Sequence, residues 1–149
     1  MSIFPTRILL AIDGSGEADL AARTAIDLTD STGSELHVVH VGRLPNFLTN
    51  GGPGTIGYDR RLYEKLEDES REMLRKLTWR VKVAGGTVAE THLRIGGVAE
   101  EIVHLAEELG AGLIVMGSRG HGGIRRALMG SVSNSVVQHA HCPVLIARR

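Results

Sequence analysis

The chain has 149 residues, enough for one domain that buries roughly 68–70% of its unfolded surface without covalent staples. Its 42% hydrophobic and 23% charged residues exclude disorder of the whole chain, and no apolar run approaches the ~18 residues of a membrane span. A formal net charge of zero hides an asymmetry: residues 1–108 carry all 17 acids and a net charge of −5, whereas residues 109–149 carry five arginines and no acid, for +5.

A local absence of carboxylates suits a phosphate-bearing ligand, because no like charge has to be offset. Nucleic acid is not expected, since the five aromatic residues are not interleaved with these arginines and no stacking platform forms. The single cysteine, Cys142, rules out an internal disulfide framework and a multi-cysteine zinc site. With no charged-then-apolar leader in Met1–Arg7, no signal peptide is expected and a reducing cytoplasm is the expected location.

In chain order, the apolar run from Arg7 to Asp13 reads as a buried strand ending in the turn Gly14-Ser15-Gly16. Ala18, Ala21, Ala22, Ala25 and Leu28 then repeat at the spacing of one helical face, and Gly33 stops the helix. Leu36–Val41 is the second strand. Gly42–Gly57, with five glycines and two prolines, reads as a long loop of the kind that is usually functional or mobile. A second helix starts near Asp59, with Leu62, Leu66, Met73, Leu77 and Val81 expected on its inner side; Gly85-Gly86 closes it. Its acids pair in part with Arg60, Lys65, Arg71 and Lys76 at helical spacing, which marks a solvated face.

Thr87–Ile95 is the third strand. The next helix carries Val98, Ile102, Leu105, Ala106 and Leu109, and Leu113–Met116 is a fourth strand, apolar on both faces. Val132, Val136, Val137 and Ala140 mark a last helix before a fifth strand, Pro143–Ala147. This alternation predicts a single doubly wound α/β domain over residues 1–149, with parallel strands, right-handed crossovers and helices on both faces. In such sheets ligands sit outside the carboxyl ends of the strands at the switch point of strand order, which directs attention to Asp13, Val41 and Gly117.

Between the fourth strand and the last helix, Gly117–Ser131 holds five glycines. Glycine lets backbone N–H groups approach a phosphate without a Cβ in the way, so valine at 117 or 130 is expected to crowd a bound nucleotide. A helix starting near Gly130-Ser131 offers unpaired N–H groups and the positive end of its dipole. The NTPase loop with its lysine is absent, and Gly14-Ser15-Gly16 followed by Asp19 fails the dinucleotide fingerprint. The spacing present is Gly117-x2-Gly120-x9-Gly130-Ser131.

That spacing resembles the hallmark of the ATP-binding branch of the universal stress proteins. The similarity extends to Met116–Gly122, Met129–Ser133 and His141–Leu145, and to Asp13-Gly14-Ser15 and His40-Val41; it covers essentially the whole chain outside Gly42–Gly57. The resemblance implies a five-stranded parallel sheet of order 3-2-1-4-5, usually in a homodimer. It implies an adenine nucleotide, ATP carrying Mg²⁺, with Ile12 and Asp13 toward the ribose or adenine end, Val41 meeting adenine through its backbone, and Met116 and Gly117 along the nucleoside. Gly120, Gly130, Ser131 and Val132 would hold the phosphates, with Arg119 as a phosphate neighbour alongside Arg125 and Arg126. No catalytic residue stands out, so a stress-response or regulatory binder is the leading expectation. A slow ATP hydrolase or nucleotidyl-transfer enzyme, or a cyclic AMP binder, is the alternative. His139, His141 and Cys142 are not expected to hold a metal, and His121 is expected on the loop surface. The fifth strand, Val144–Ala147, is the expected dimer seam.

Overall fold

The alternating apolar runs form one five-stranded parallel sheet in a computed structural model that describes residues 2–13, 16–44, 60–118 and 130–148. Five strands, β1 (Arg7–Ala11), β2 (Glu35–Arg43), β3 (Val88–Gly96), β4 (Leu113–Gly117) and β5 (Val144–Ala147), lie in the order β3-β2-β1-β4-β5. Among the described residues, four helices connect them: α1 (Gly16–Thr32), α2 (Arg60–Val83), α3 (Val98–Leu109) and α4 (Ser131–His139). This is the architecture and strand order that the sequence implied.

Successive strand side chains point to opposite faces, which explains why β1 and β4, covered on both faces, are apolar nearly throughout, whereas the edge strand β3 carries polar residues. Ile8, Leu10, Leu36, Val38, Leu113 and Val115 join the core under α1 and α2, whereas Leu9, Val39, Val41, Ile114 and Met116 join the one under α3 and α4. Each fully buried aliphatic side chain contributes roughly 1.5–3 kcal/mol relative to exposure. In the register, Ala11 stands between Val39 and Met116, so the carboxyl ends of β1, β2 and β4 lie side by side. The pairing runs one residue past β1, where Ile12 N–H donates to the Val39 carbonyl at 3.2 Å.

Helix α1 buries its alanine stripe at Ala18, Ala21, Ala22 and Ala25, as its period predicts, and Gly33 ends it at a φ of 69°. Helix α3 closes on Gly110 at φ 62°, whose N–H bonds back to the Glu107 carbonyl.

Three local expectations are corrected. Met73 is 39% exposed, whereas Leu77 and Val81 are buried as expected, and Ser70, Leu74 and Thr78 complete the inner face of α2. The neighbouring Leu74, rather than Met73, fills that turn of the buried stripe. Val137 of α4 is 44% exposed, and Ala140 lies just past the helix as its cap. Gly42 does not open the long loop: β2 runs on to Arg43, paired with Gly96 of β3, and Leu44 N–H still reaches the Gly96 carbonyl. Residues 45–59 lie outside the described residues. Among the described residues, no helix is long and apolar enough to cross a membrane.

Candidate functional site

Strand order reverses between β1 and β4: the chain leaves β1 toward β2 and β3, then returns to the far side for β4 and β5. The crossovers diverge at this point and leave a crevice above the carboxyl ends. A cleft of about 410 Å³ lies there, within the size range of small-molecule sites. Ile12, Asp13, Val41, Met116, Gly117, Gly130, Ser131 and Val132 all line it. Arg119 and Gly120, with His121, Arg125 and Arg126, lie outside the described residues.

The two sides of the cleft differ chemically. Val39, Val41 and Met116 from the sheet, with Val98 and Ile102 from α3, give it an aliphatic side. The opposite side is the start of α4. Gly130 occupies the N-cap in an extended conformation and makes no side-chain cap bond, so Ser131 is the first helical residue rather than the cap. Asn134 N–H closes the first turn on the Gly130 carbonyl at 3.0 Å. An α-helix supplies no internal acceptor for its first N–H groups. Here those groups belong to residues that line the cleft.

A buried polar clamp fixes that helix start. The Ser118 carbonyl, just past β4, accepts Gly130 N–H at 2.7 Å and the hydroxyl of Ser133. Ser133 is fully buried and also donates to the Gly130 carbonyl at 3.1 Å. Ser118 in turn bonds Ala147 of β5 through its N–H and donates its hydroxyl to Glu17 at the start of α1. The two ends of the 119–129 segment are therefore tied to each other and to the sheet. Sequence reasoning missed this role of Ser118 and Ser133. Their spacing on either side of the glycine-rich segment was visible, but a serine that bonds a carbonyl has the same letter as one that faces water.

Gly117 also serves the packing of the fold. A Cβ built there would lie 3.0 Å from Glu17 Cβ and 3.2 Å from the Glu17 carbonyl carbon, so the glycine makes room for α1. Valine at 117 is therefore expected to crowd the fold as well as a bound nucleotide.

His40 and Arg43 also line the cleft and were not anticipated as site residues. His40 donates from Nδ1 to the Ile12 carbonyl at 3.3 Å. Burial pushes its pKa down, against the opposing pull of that bond and of the Asp13 charge. A histidine held neutral in the fold favours the folded state above the unfolded pKa of about 6.5. That contribution is lost as pH falls through the lowered folded value, because the unfolded chain takes up the proton first. Thermal melts between about pH 7 and about pH 5 should therefore show a smaller loss of stability for His40→Asn than for the native chain. Identical pH dependence in the two would assign the loss elsewhere.

The parallel sheet of order β3-β2-β1-β4-β5, with a cleft at its switch point, defines a doubly wound α/β domain. The universal stress protein family model matches residues 5–148, and the chain belongs to that family. Universal stress protein YxiE of Bacillus subtilis is 35% identical over 95% of this chain and 98% of its own. The solved structure of the protein MJ0577 superposes with a TM-score of 0.80 at 25% identity, covering 99% of this chain and 98% of that one. A universal stress protein from Archaeoglobus fulgidus, solved in complex with dAMP, gives 0.62 at 27% identity over 97% and 98% of the two chains.

Proposed function

We propose that the whole chain, residues 1–149, acts as one nucleotide-binding domain whose switch-point cleft takes an adenine nucleotide, ATP with Mg²⁺ in first place. The observation that carries this reading is the pairing of an aliphatic slot with a helix N-terminus across one cleft. Val41 and Met116 offer a planar base an apolar surface, and Asp13 can accept from ribose hydroxyls. The first turn of α4, with Ser131, offers donors to the phosphates. Binding of dAMP by the Archaeoglobus fulgidus relative supports the adenine part of the reading. Arg119 and Gly120 belong to the same proposal as phosphate neighbours. A regulatory role in the cytoplasm, in a homodimer joined through Val144–Ala147, completes it.

Thermal melts with and without Mg·ATP test this directly. A ligand at 100 times its dissociation constant adds about 2.7 kcal/mol of apparent stability. Ser131→Asp separates phosphate contact from folding. A carboxylate in the first turn favours the helix dipole, yet it repels a phosphate at about 4 Å by roughly 1–4 kcal/mol. The variant should fold normally and bind ATP about tenfold more weakly or worse, with adenosine little affected. If no adenine nucleotide shifts the melt, the reading fails; if cyclic AMP alone does, the phosphate assignment fails. Sustained turnover of Mg·ATP on the order of 1 s⁻¹ would favour an enzyme over a regulatory binder.

A further inference from the structure

Away from the cleft, toward the amino end of β2, three side chains meet on the sheet face that carries α3. His37 lies opposite Glu90 in the register, and Val39 lies opposite His92. A register shift between Leu36 and His37 makes this meeting possible: Leu36 pairs with Val88 but His37 pairs with Glu90, so β3 carries one extra residue. Without that bulge Glu90 and His92 would point to the opposite face. Bulges commonly re-aim side chains in this way.

The donor atoms are closely and evenly spaced. His37 Nδ1 is 3.1 Å from His92 Nε2 and 3.8 Å from Glu90 Oε1, and His92 Nε2 is 3.6 Å from the same Glu90 oxygen. The circle through these three atoms has a radius of about 2.0 Å, which is the Zn–N and Zn–O bond length. His37 is buried, and its other ring nitrogen, Nε2, donates to Glu35 Oε1 at 3.0 Å. That bond leaves Nδ1 unprotonated and in line with His92 Nε2, the ring centres being 5.4 Å apart, so that modest turns of the two rings bring both nitrogens onto an ion. A carboxylate on the far nitrogen is the usual support of a metal-ligating histidine. The nearby cation Arg94 is engaged by Glu108 at 2.7 Å.

We propose that His37, Glu90 and His92 form a binding site for a divalent transition-metal ion, zinc above all, separate from the nucleotide cleft. Two imidazoles and a carboxylate suit zinc and disfavour magnesium, which prefers an all-oxygen shell. Without metal, His37 Nδ1 accepts the Nε2–H of His92. On binding, that proton moves to the Nδ1 of His92 by exchange with solvent, and both facing nitrogens become ligands. Three protein ligands leave a fourth position for water on the side of the exposed Glu90.

The full chain, stripped with EDTA and free of nucleotide, is titrated with ZnCl₂ by calorimetry and with Co²⁺ by visible absorption. The expected result is one ion per chain bound in the micromolar range or tighter, undisturbed by excess Mg²⁺, with the absorption of four-coordinate Co²⁺. Glu90→Gln with His92→Ala should weaken zinc binding at least a hundredfold while the circular dichroism spectrum is kept. Glu90→Gln alone provides the same test, with a smaller loss, if the double variant folds poorly. Glu35→Gln should cost about 10–100-fold by loosening His37. His141→Ala, which removes a histidine from the other His/Cys cluster, should change nothing. No saturable zinc uptake by the native chain, or uptake undiminished in the Glu90 and His92 variants, overturns the site.

Discussion

Gly117→Val should destabilise the protein in the absence of any nucleotide. A Cβ at 117 already meets Glu17 Cβ at 3.0 Å and the Glu17 carbonyl oxygen at 3.3 Å, and valine adds two methyl groups beyond it. Neither partner can yield cheaply. Strand β4 is hydrogen-bonded to β1 on one side and β5 on the other, and Glu17 is held by the Ser118 hydroxyl. Overpacking of this kind typically costs 1–3 kcal/mol, which at this chain length lowers the melting temperature by roughly 2–12 °C. Gly117→Ala should fall between the native chain and the valine variant. Loss of nucleotide binding would follow from displacement of α1 and the clamp. A native melting temperature with nucleotide binding abolished would instead mean that the space above Gly117 belongs to the ligand.

The same residue shows where sequence reading stops. The glycine spacing drew attention to residues that share one cleft, since Gly117, Gly130 and Ser131 all line it. It could not say what each glycine makes room for, since close approach to a helix and close approach to a ligand place the same demand on the backbone. β1 and β4 were readable as continuous apolar runs because both faces of the sheet are covered there. The inner face of α2 was not, because Ser70 and Thr78 occupy buried positions there while Met73 and Trp79 are exposed. An apolar count alone therefore misplaces Met73 and passes over the buried Ser70 and Thr78.

The polar groups were harder still. His37 and His92 are far apart in the chain, and only the one-residue shift between β2 and β3 turns them to the same face. Alternation along β3 alone would have set Glu90 and His92 against the other core. The contribution of Ser133 likewise depends on a carbonyl fifteen residues away. Periodicity reports which residues share a face of one element. It carries no information on which faces of two elements meet.

Edge position makes β5 the site of the other large expected effect. β5 pairs with β4 on one side only, and an edge strand this apolar is an aggregation hazard unless it is covered. Val144, Leu145 and Ile146 are each only partly buried, and Val137 is exposed on α4, the helix that precedes and contacts β5. Pairing β5 with its own copy across a two-fold axis would satisfy the open backbone groups and cover these side chains. The native chain should therefore run as a dimer at micromolar concentration in light scattering. Leu145→Asp with Ile146→Lys should give monomer or insoluble chain. Because both residues also pack on the two cores, that variant tests stability as well. Val137→Glu separates the two effects: its exposed position leaves folding intact, and a charge beside the seam should raise the dimer dissociation constant by about tenfold or more, the equivalent of about 1.4 kcal/mol. A native monomer would remove β5 as a seam. A Val137→Glu dimer of native affinity, with the β5 variant monomeric, would confine the interface to the strand itself.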